Sequence, residues 1–227
     1  MRPPGAAIMA ALSVTLRVVR DEHGSLSAVL RCLVLMLSEA RRRGRLPDVA
    51  VLRAMLFYLD EFSERVHHAK ESELLFPAIR RRSSEAAHIL DRLDHDHACS
   101  RDAVRELEHA LLGVEMMHGV REGSARFDRF EQGLHDYIAR TLEHLELEEA
   151  EVLPLAERVL TPADWSALDA AFQAHRDPLA SGEPAPAYQP LYHRIRAALD
   201  DPIRLGSAME ALRRSYRSPT DGSASGS

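Results

Sequence analysis

Two segments of the chain repeat one pattern. His67-His-Ala-Lys-Glu71-Ser-Glu-Leu-Leu-Phe-Pro77 and His144-Leu-Glu-Leu-Glu148-Glu-Ala-Glu-Val-Leu-Pro154 both carry His first, Glu four residues later and Pro ten residues later. Residues four apart on a helix face the same way, with Cβ atoms about 5–6 Å apart, so one cation can meet both members of such a pair. Each half also has an earlier His beside acidic neighbours, His23 and His97, lying 44 and 47 residues before His67 and His144. A fold that uses all six residues must set four helical faces around one core.

The surrounding periodicity supplies those faces. Leu16, Val19, His23, Leu26, Leu30, Leu33 and Leu37 alternate by three and four, which predicts a helix running to about Arg43. Gly44 to Pro47 breaks it. Asp48 is an N-cap for a second helix with the stripe Leu52, Leu56, Leu59, Ser63 and His67, reaching about Arg82 and bent by Pro77. A third helix is expected from Ser83 or Ser84 to Leu112, with the stripe Leu90, Leu93, His97, Val104, Leu107 and Leu111. After a loop at Gly113 to Gly123, Ser124 caps a fourth, with the stripe Phe127, Phe130, Leu134, Tyr137, Thr141, His144 and Glu148.

Short links make sequential helices antiparallel neighbours, so the expected fold is all-α, an up-down-up-down four-helix bundle. Thr161 and Pro162 announce an additional C-terminal helix to about Ala174, and Leu191 to Leu199 a short one. The expected organisation is an N-terminal segment at 1–15, the bundle at 16–160, a helical extension at 161–199 and a flexible, disordered tail at 200–227.

Aromatic residues make up only 5% of the chain and β-branched runs are scarce, which agrees with helix throughout. Net charge is −6 with both signs interspersed, leaving no basic stripe for a nucleic-acid backbone. The weakly apolar stretch Gly5 to Val14 is a poor secretory signal, and no run spans a bilayer. Two cysteines, Cys32 and Cys99, are spaced unlike a zinc or redox pair and suit a reducing compartment, so the expected location is cytoplasmic.

His23, His67, Glu71, His97, His144 and Glu148 thus form a candidate metal-ligand set. Imidazole with carboxylate suits iron, manganese or zinc, and iron is the expected metal over the other two. Six ionisable groups in one core call for a compensating cation, because buried charges without partners are strongly unfavourable. The spacing alone is weak evidence: His and Glu four apart recur at His118 and Glu122. Repetition of the whole segment through Pro, on core stripes, carries the argument.

This His, His-x-x-x-Glu, His, His-x-x-x-Glu pattern resembles the hemerythrin-like HHE cation-binding family, in its bacterial type, over roughly Leu16 to Leu155. The resemblance implies a four-helix bundle holding two iron ions, oxo- or hydroxo-bridged, that binds or senses dioxygen, nitric oxide or iron. Peroxide is a further expected small ligand, and a di-iron enzyme decomposing peroxide or acting as an oxidase is the alternative. Invertebrate oxygen carriers of the family place two His four apart on the third helix. Here positions 93 and 101 are Leu and Arg, which leaves four imidazoles and an expected open coordination position. Those carriers also set the last carboxylate five residues after its His, so Glu149 competes with Glu148, which symmetry with Glu71 favours.

A single His on an apolar stripe is more often a hydrogen-bonded core residue than a ligand, and only convergence overturns that. His95, His88 and His135 are out of phase and expected on the surface, and His68 is a candidate to support the ligands from behind. A ferritin-like carboxylate site would use Glu-x-x-His pairs such as Glu64/His67, but no matching bridging Glu accompanies them. A metal-free helical interaction module is the remaining reading.

Overall fold

The computed structural model describes residues 13–117, 121–174, 177–179 and 189–199, and among them every regular element is helical. Helix α1 spans Val14–Arg43. Helix α2 covers 49–82, helix α3 Ala87–Met116 and helix α4 121–159, followed by α5 at Pro162–Ala174 and α6 at Gln189–Leu199. The expected stripes of all four bundle helices are buried without exception.

Cross-helix ion pairs record the antiparallel course. Arg41, near the end of α1, meets Asp128 and Glu131 early in α4. Arg20, near the start of α1, meets Glu157 at the end of α4 at 3.2 Å. Arg53 early in α2 meets Glu115 late in α3, and Arg92 early in α3 meets Glu143 late in α4.

Local chemistry sets the ends. Gly44 closes α1 in the left-handed region (φ 61°), where a side chain would be strained. Asp48 accepts the Ala50 and Val51 N–H groups at 2.9 and 3.2 Å, as an N-cap should. Three boundaries differ from expectation: α3 starts at Ala87 instead of Ser83 or Ser84 and continues through Gly113 to Met116, and α4 already runs at Arg121, which places Ser124 inside the helix. Gly113 is tolerated there because the neighbouring turns of two long helices outweigh a cost of about 1 kcal/mol.

Neither repeat segment is a plain α-helix. Each opens into a π turn at its Glu, with the Phe76 N–H bonded to the Glu71 carbonyl and the Leu153 N–H to the Glu148 carbonyl. Pro77 and Pro154 follow as the α-helix resumes. The widened turn accommodates a residue that lacks an N–H and would clash with the carbonyl four residues back, so α2 continues to Arg82 instead of ending near Pro77. Helix α2 alone has another π stretch, Leu59–His67, just before the site.

The apolar core divides in two. One cluster, around Leu30, Leu33, Leu56 and Phe130, fills the end of the bundle near the α1–α2 turn. The other, around Leu90, Phe76, Leu153 and Trp165, fills the opposite end. Helix α5 buries Trp165, Leu168 and Phe172 against the second cluster, each apolar side chain stabilising by about 1.5–3 kcal/mol. Thr161 and Asp164 cap it reciprocally, the Asp164 N–H donating to Thr161 Oγ1 and the Thr161 N–H to Asp164 Oδ2. Its Asp169 in turn accepts Thr15 N–H and Oγ1 at 2.8 and 2.7 Å, so α5 caps the start of α1. Of the expected N-terminal segment 1–15, residues 1–12 lie outside the described residues and Val14 and Thr15 already belong to α1; the expected tail 200–227 also lies outside them.

Candidate metal centre

Between the two apolar clusters lies a belt of buried ionisable side chains. Two groups of four converge there: His23, His67, Glu71 and Glu148 form one, and His68, Glu71, His97 and His144 the other. All are buried, and the donor atoms within each group lie within 4.8 Å of one another. The six residues expected from sequence are therefore all brought together, each from its expected helix.

Glu71 belongs to both groups. Its Oε1 lies 3.1 Å from His67 Nε2 and 3.9 Å from His23 Nε2, whereas its Oε2 lies 3.5 Å from His97 Nε2. Glu148 Oε2 is similarly between subsites, 3.4 Å from His23 Nε2 and 4.0 Å from His144 Nε2. A carboxylate with one oxygen toward each group is shaped to bridge two cations. Glu149 turns elsewhere: its Oε1 meets His23 Nδ1 at 2.9 Å, and its side chain is half exposed.

His68 is the residue that sequence reasoning left behind the ligands. It stacks on His97 with ring centroids 4.0 Å apart and joins the second group, so five imidazoles converge, not four. The imidazole absent from position 101 of α3 is matched by one from α2. The physical reason is the π stretch ending at His67, whose closing N–H, that of His68, reaches back to Ser63. In a regular α-helix consecutive residues diverge by about 100°. Here both neighbours serve the belt, one in each group. The adjacent His pair in the sequence was the available signal.

Four of the five imidazoles are hydrogen-bonded through Nδ1, and all five turn Nε2 inward. His67 Nδ1 meets Glu22 Oε2 at 2.9 Å and His68 Nδ1 meets Glu64 Oε2 at 2.9 Å. His97 Nδ1 meets Ser72 Oγ at 2.8 Å, and that hydroxyl donates to Asp94 at 2.6 Å. His144 Nδ1 faces Asp96 at a longer 3.7 Å. Such outer partners fix the tautomer and aim the free nitrogen at a metal.

The inward atoms lack partners of their own. His23, His67 and His68 Nε2 and all four carboxylate oxygens of Glu71 and Glu148 are buried without a hydrogen bond. One such atom costs about 1–3 kcal/mol, so seven in one place call for a ligand that satisfies them together. His97 Nε2 also faces His144 Nε2 at 3.1 Å, a contact between two acceptors unless a proton or cation lies between. Nitrogen and carboxylate donors in this number fit transition-metal cations.

The electrostatics differ between the groups. Burial, then the Glu148 charge, pushes the Glu71 carboxyl well above the usual carboxylate range. Burial opposes charge on His23, but the nearby Glu148 carboxylate and the hydrogen-bonded Glu149 carboxylate outweigh it and raise it to about 9. Burial and then neighbouring His68 hold His97 far below its usual value and His144 down to about 4. Burial also raises the Glu22 carboxyl, opposed by the Lys70 ammonium.

A cleft of ≈ 230 Å³ between α3 and α4 reaches the second group, with His68 and His144 in its lining together with Ser100, Tyr137, Arg140 and Thr141. His95 and His88 are exposed, as expected. Cys32 is buried and Cys99 exposed, neither in a disulfide. No described helix is long and apolar enough to cross a membrane.

Comparison with known proteins agrees with this geometry. Neither the curated proteins nor the solved structures give a significant match. The family model for the hemerythrin HHE cation-binding domain matches residues 14–156, which takes in the bundle helices up to residue 156 of α4 and every residue of the two groups. The chain belongs to the hemerythrin HHE cation-binding family.

Proposed function

We infer that this chain is a di-iron protein whose centre binds or senses a small ligand such as dioxygen or nitric oxide, or senses iron itself. The observation that carries the reading is the pair of four-residue groups joined at Glu71, with seven buried donor atoms turned inward and unpartnered. His23, His67 and Glu148 would hold one iron and His68, His97 and His144 the other, with Glu71 between them. Bound iron supplies reversible electron exchange and a site for a small oxygen or nitrogen ligand. The chain's own residues orient the imidazoles through Glu149, Glu22, Glu64 and Ser72, and exclude bulk water with the two apolar clusters. Manganese and zinc suit the same donors less specifically. Cysteines outside any disulfide agree with a cytoplasmic setting.

Metal analysis with optical spectra tests this directly. Purified protein is expected to take up about two irons per chain, matching the two groups, and to gain ligand-to-iron absorption on oxidation. Protein that takes up no iron, or spectra that ignore nitric oxide, dioxygen and peroxide alike, would end the reading.

The cleft that touches His68 and His144 favours one alternative, an enzyme that consumes peroxide. Iron-loaded protein should then remove peroxide faster than a His97→Ala variant. Equal rates eliminate this alternative and leave the binding role.

A further inference from the structure

The family match ends at residue 156, yet part of what surrounds His67 comes from beyond it. Glu22 receives His67 Nδ1 on one carboxylate oxygen at 2.9 Å, and Lys70 Nζ approaches both oxygens at 2.8 and 3.1 Å. Lys70 is only 8% exposed and Glu22 5%. An ion pair at that depth loses its hydration and persists only with good geometry and further partners.

The C-terminal region supplies those partners. Phe172 of α5 lies against the Lys70 ammonium, 4.9 Å from ring centroid to nitrogen, a cation–π contact that desolvation strengthens. Asp177, from beyond α5, lines one small cavity together with Glu22, Tyr58 and His67. Asp177 itself is buried and fixed, accepting the Tyr58 hydroxyl at 2.7 Å and the Leu179 N–H at 2.8 Å. The other group is backed differently: Glu64 behind His68 takes Ser100 and Tyr137 hydroxyls, and Ser72 with Asp94 stands behind His97, all from α2, α3 and α4.

We propose that the C-terminal region is part of the metal centre: Phe172 and Asp177 hold a Lys70–Glu22 pair behind His67, and this pair sets the affinity and reduction potential of the His23/His67 subsite alone. The inference rests on the di-iron reading. Glu22 and Lys70 are positioning residues. Glu22 fixes the ring with Nε2 inward and, as an acceptor of the Nδ1 proton, makes the imidazole a stronger donor. Lys70 offsets that charge. Without Lys70 more negative charge faces the subsite, which favours ferric iron and lowers the potential. Without Glu22 the ring loosens and the potential rises.

The test uses full-length protein, titrated anaerobically with ferrous iron and then followed through a spectroscopic redox titration that resolves the two irons. Glu22→Gln is expected to weaken one of the two equivalents by about 10–100-fold, the usual loss when the outer partner of a metal-bound imidazole is removed, and to spare the other. Lys70→Met should lower the potential of that same iron, and Lys70→Arg should restore it. Asp177→Ala, which alters no residue of either group, should perturb the same equivalent, with helical circular dichroism of the metal-free protein checking the fold. If that variant does not fold, the Met and Arg variants of Lys70 decide. Wild-type affinities and potentials throughout, or equal losses at both equivalents, would overturn the inference while leaving the di-iron reading intact. Wild-type protein that takes up no iron would instead overturn the reading beneath it.

Discussion

The two groups of donors share Glu71 and arise from segments that repeat one His, Glu and Pro pattern, yet they are not equivalent. The His23/His67 group pairs two imidazoles with two carboxylates, and its rings are backed by Glu149 and Glu22. The His68/His97/His144 group has three imidazoles to one carboxylate and borders the cleft between α3 and α4. In the first, the Glu148 and Glu149 carboxylates raise His23 to about 9. The second is held neutral by burial and by its crowd of rings. Sequence repetition fixes where donors stand along two helices, whereas charge at each subsite depends on which neighbours come from the other helices.

The strongest way to break the comparison is to remove the shared residue. Glu71→Ala is expected to abolish tight binding of both irons, by more than the ~100-fold typical of an outer partner, as read in a metal titration. Retention of one tight equivalent would show that the groups do not depend on Glu71 in common.

Single-group variants come next. His68→Ala should cost the second equivalent about 100-fold or more, and His23→Ala the first by a similar factor, each leaving the opposite subsite filled. Two wild-type equivalents in His68→Ala would return that residue to a supporting role.

The difference in charge is read through pH. His23 is raised to about 9 in the metal-free protein, so below that value it carries a proton that metal must displace. Glu71, whose carboxyl is also raised, affects both subsites alike, so affinity of the first subsite should fall by about tenfold more per pH unit below 9 than that of the second, whose His97 and His144 are already neutral at pH 7. Calorimetry in buffers of different ionisation enthalpy counts the proton released.

The smallest effect is a control that touches neither group. Asp164→Ala removes the carboxylate that accepts the Thr161 N–H and pairs with Arg82, and should cost about 1 kcal/mol in chemical denaturation with or without metal. The Arg82 hydrogen bond holds this carboxyl below its usual range. Its contribution is therefore present above the ordinary carboxylate value and disappears as pH falls through the depressed one. A metal-dependent cost would connect the α5 cap to the centre.

Much of this was written in the sequence. The three-and-four spacing of Leu16 to Leu37, and of the three later stripes, identified the buried faces, because a helix of 3.6 residues per turn leaves little choice about which side chains align. The repeated His, Glu and Pro placed six donors on those faces, and Asp48 and Thr161 marked two helix starts through side chains that satisfy free N–H groups. Even the π turns leave a trace, since a Pro six residues after each Glu has no place in an uninterrupted α-helix.

What the tertiary structure decided is the role of residues whose phase or partner depends on the assembled bundle. His68 enters the second group because α2 widens at Leu59–His67, a backbone choice that strict 3.6-residue periodicity cannot express. Glu148 and not Glu149 faces the belt because the fourth helix packs with that face inward and leaves Glu149 beside His23 Nδ1. The Lys70–Glu22 pair, drawn from α2 and α1 and covered by Phe172 and Asp177, depends on contacts between residues tens to more than a hundred positions apart. Periodicity is a local property of the chain, while burial, charge pairing and the direction of an imidazole nitrogen are properties of the packed whole.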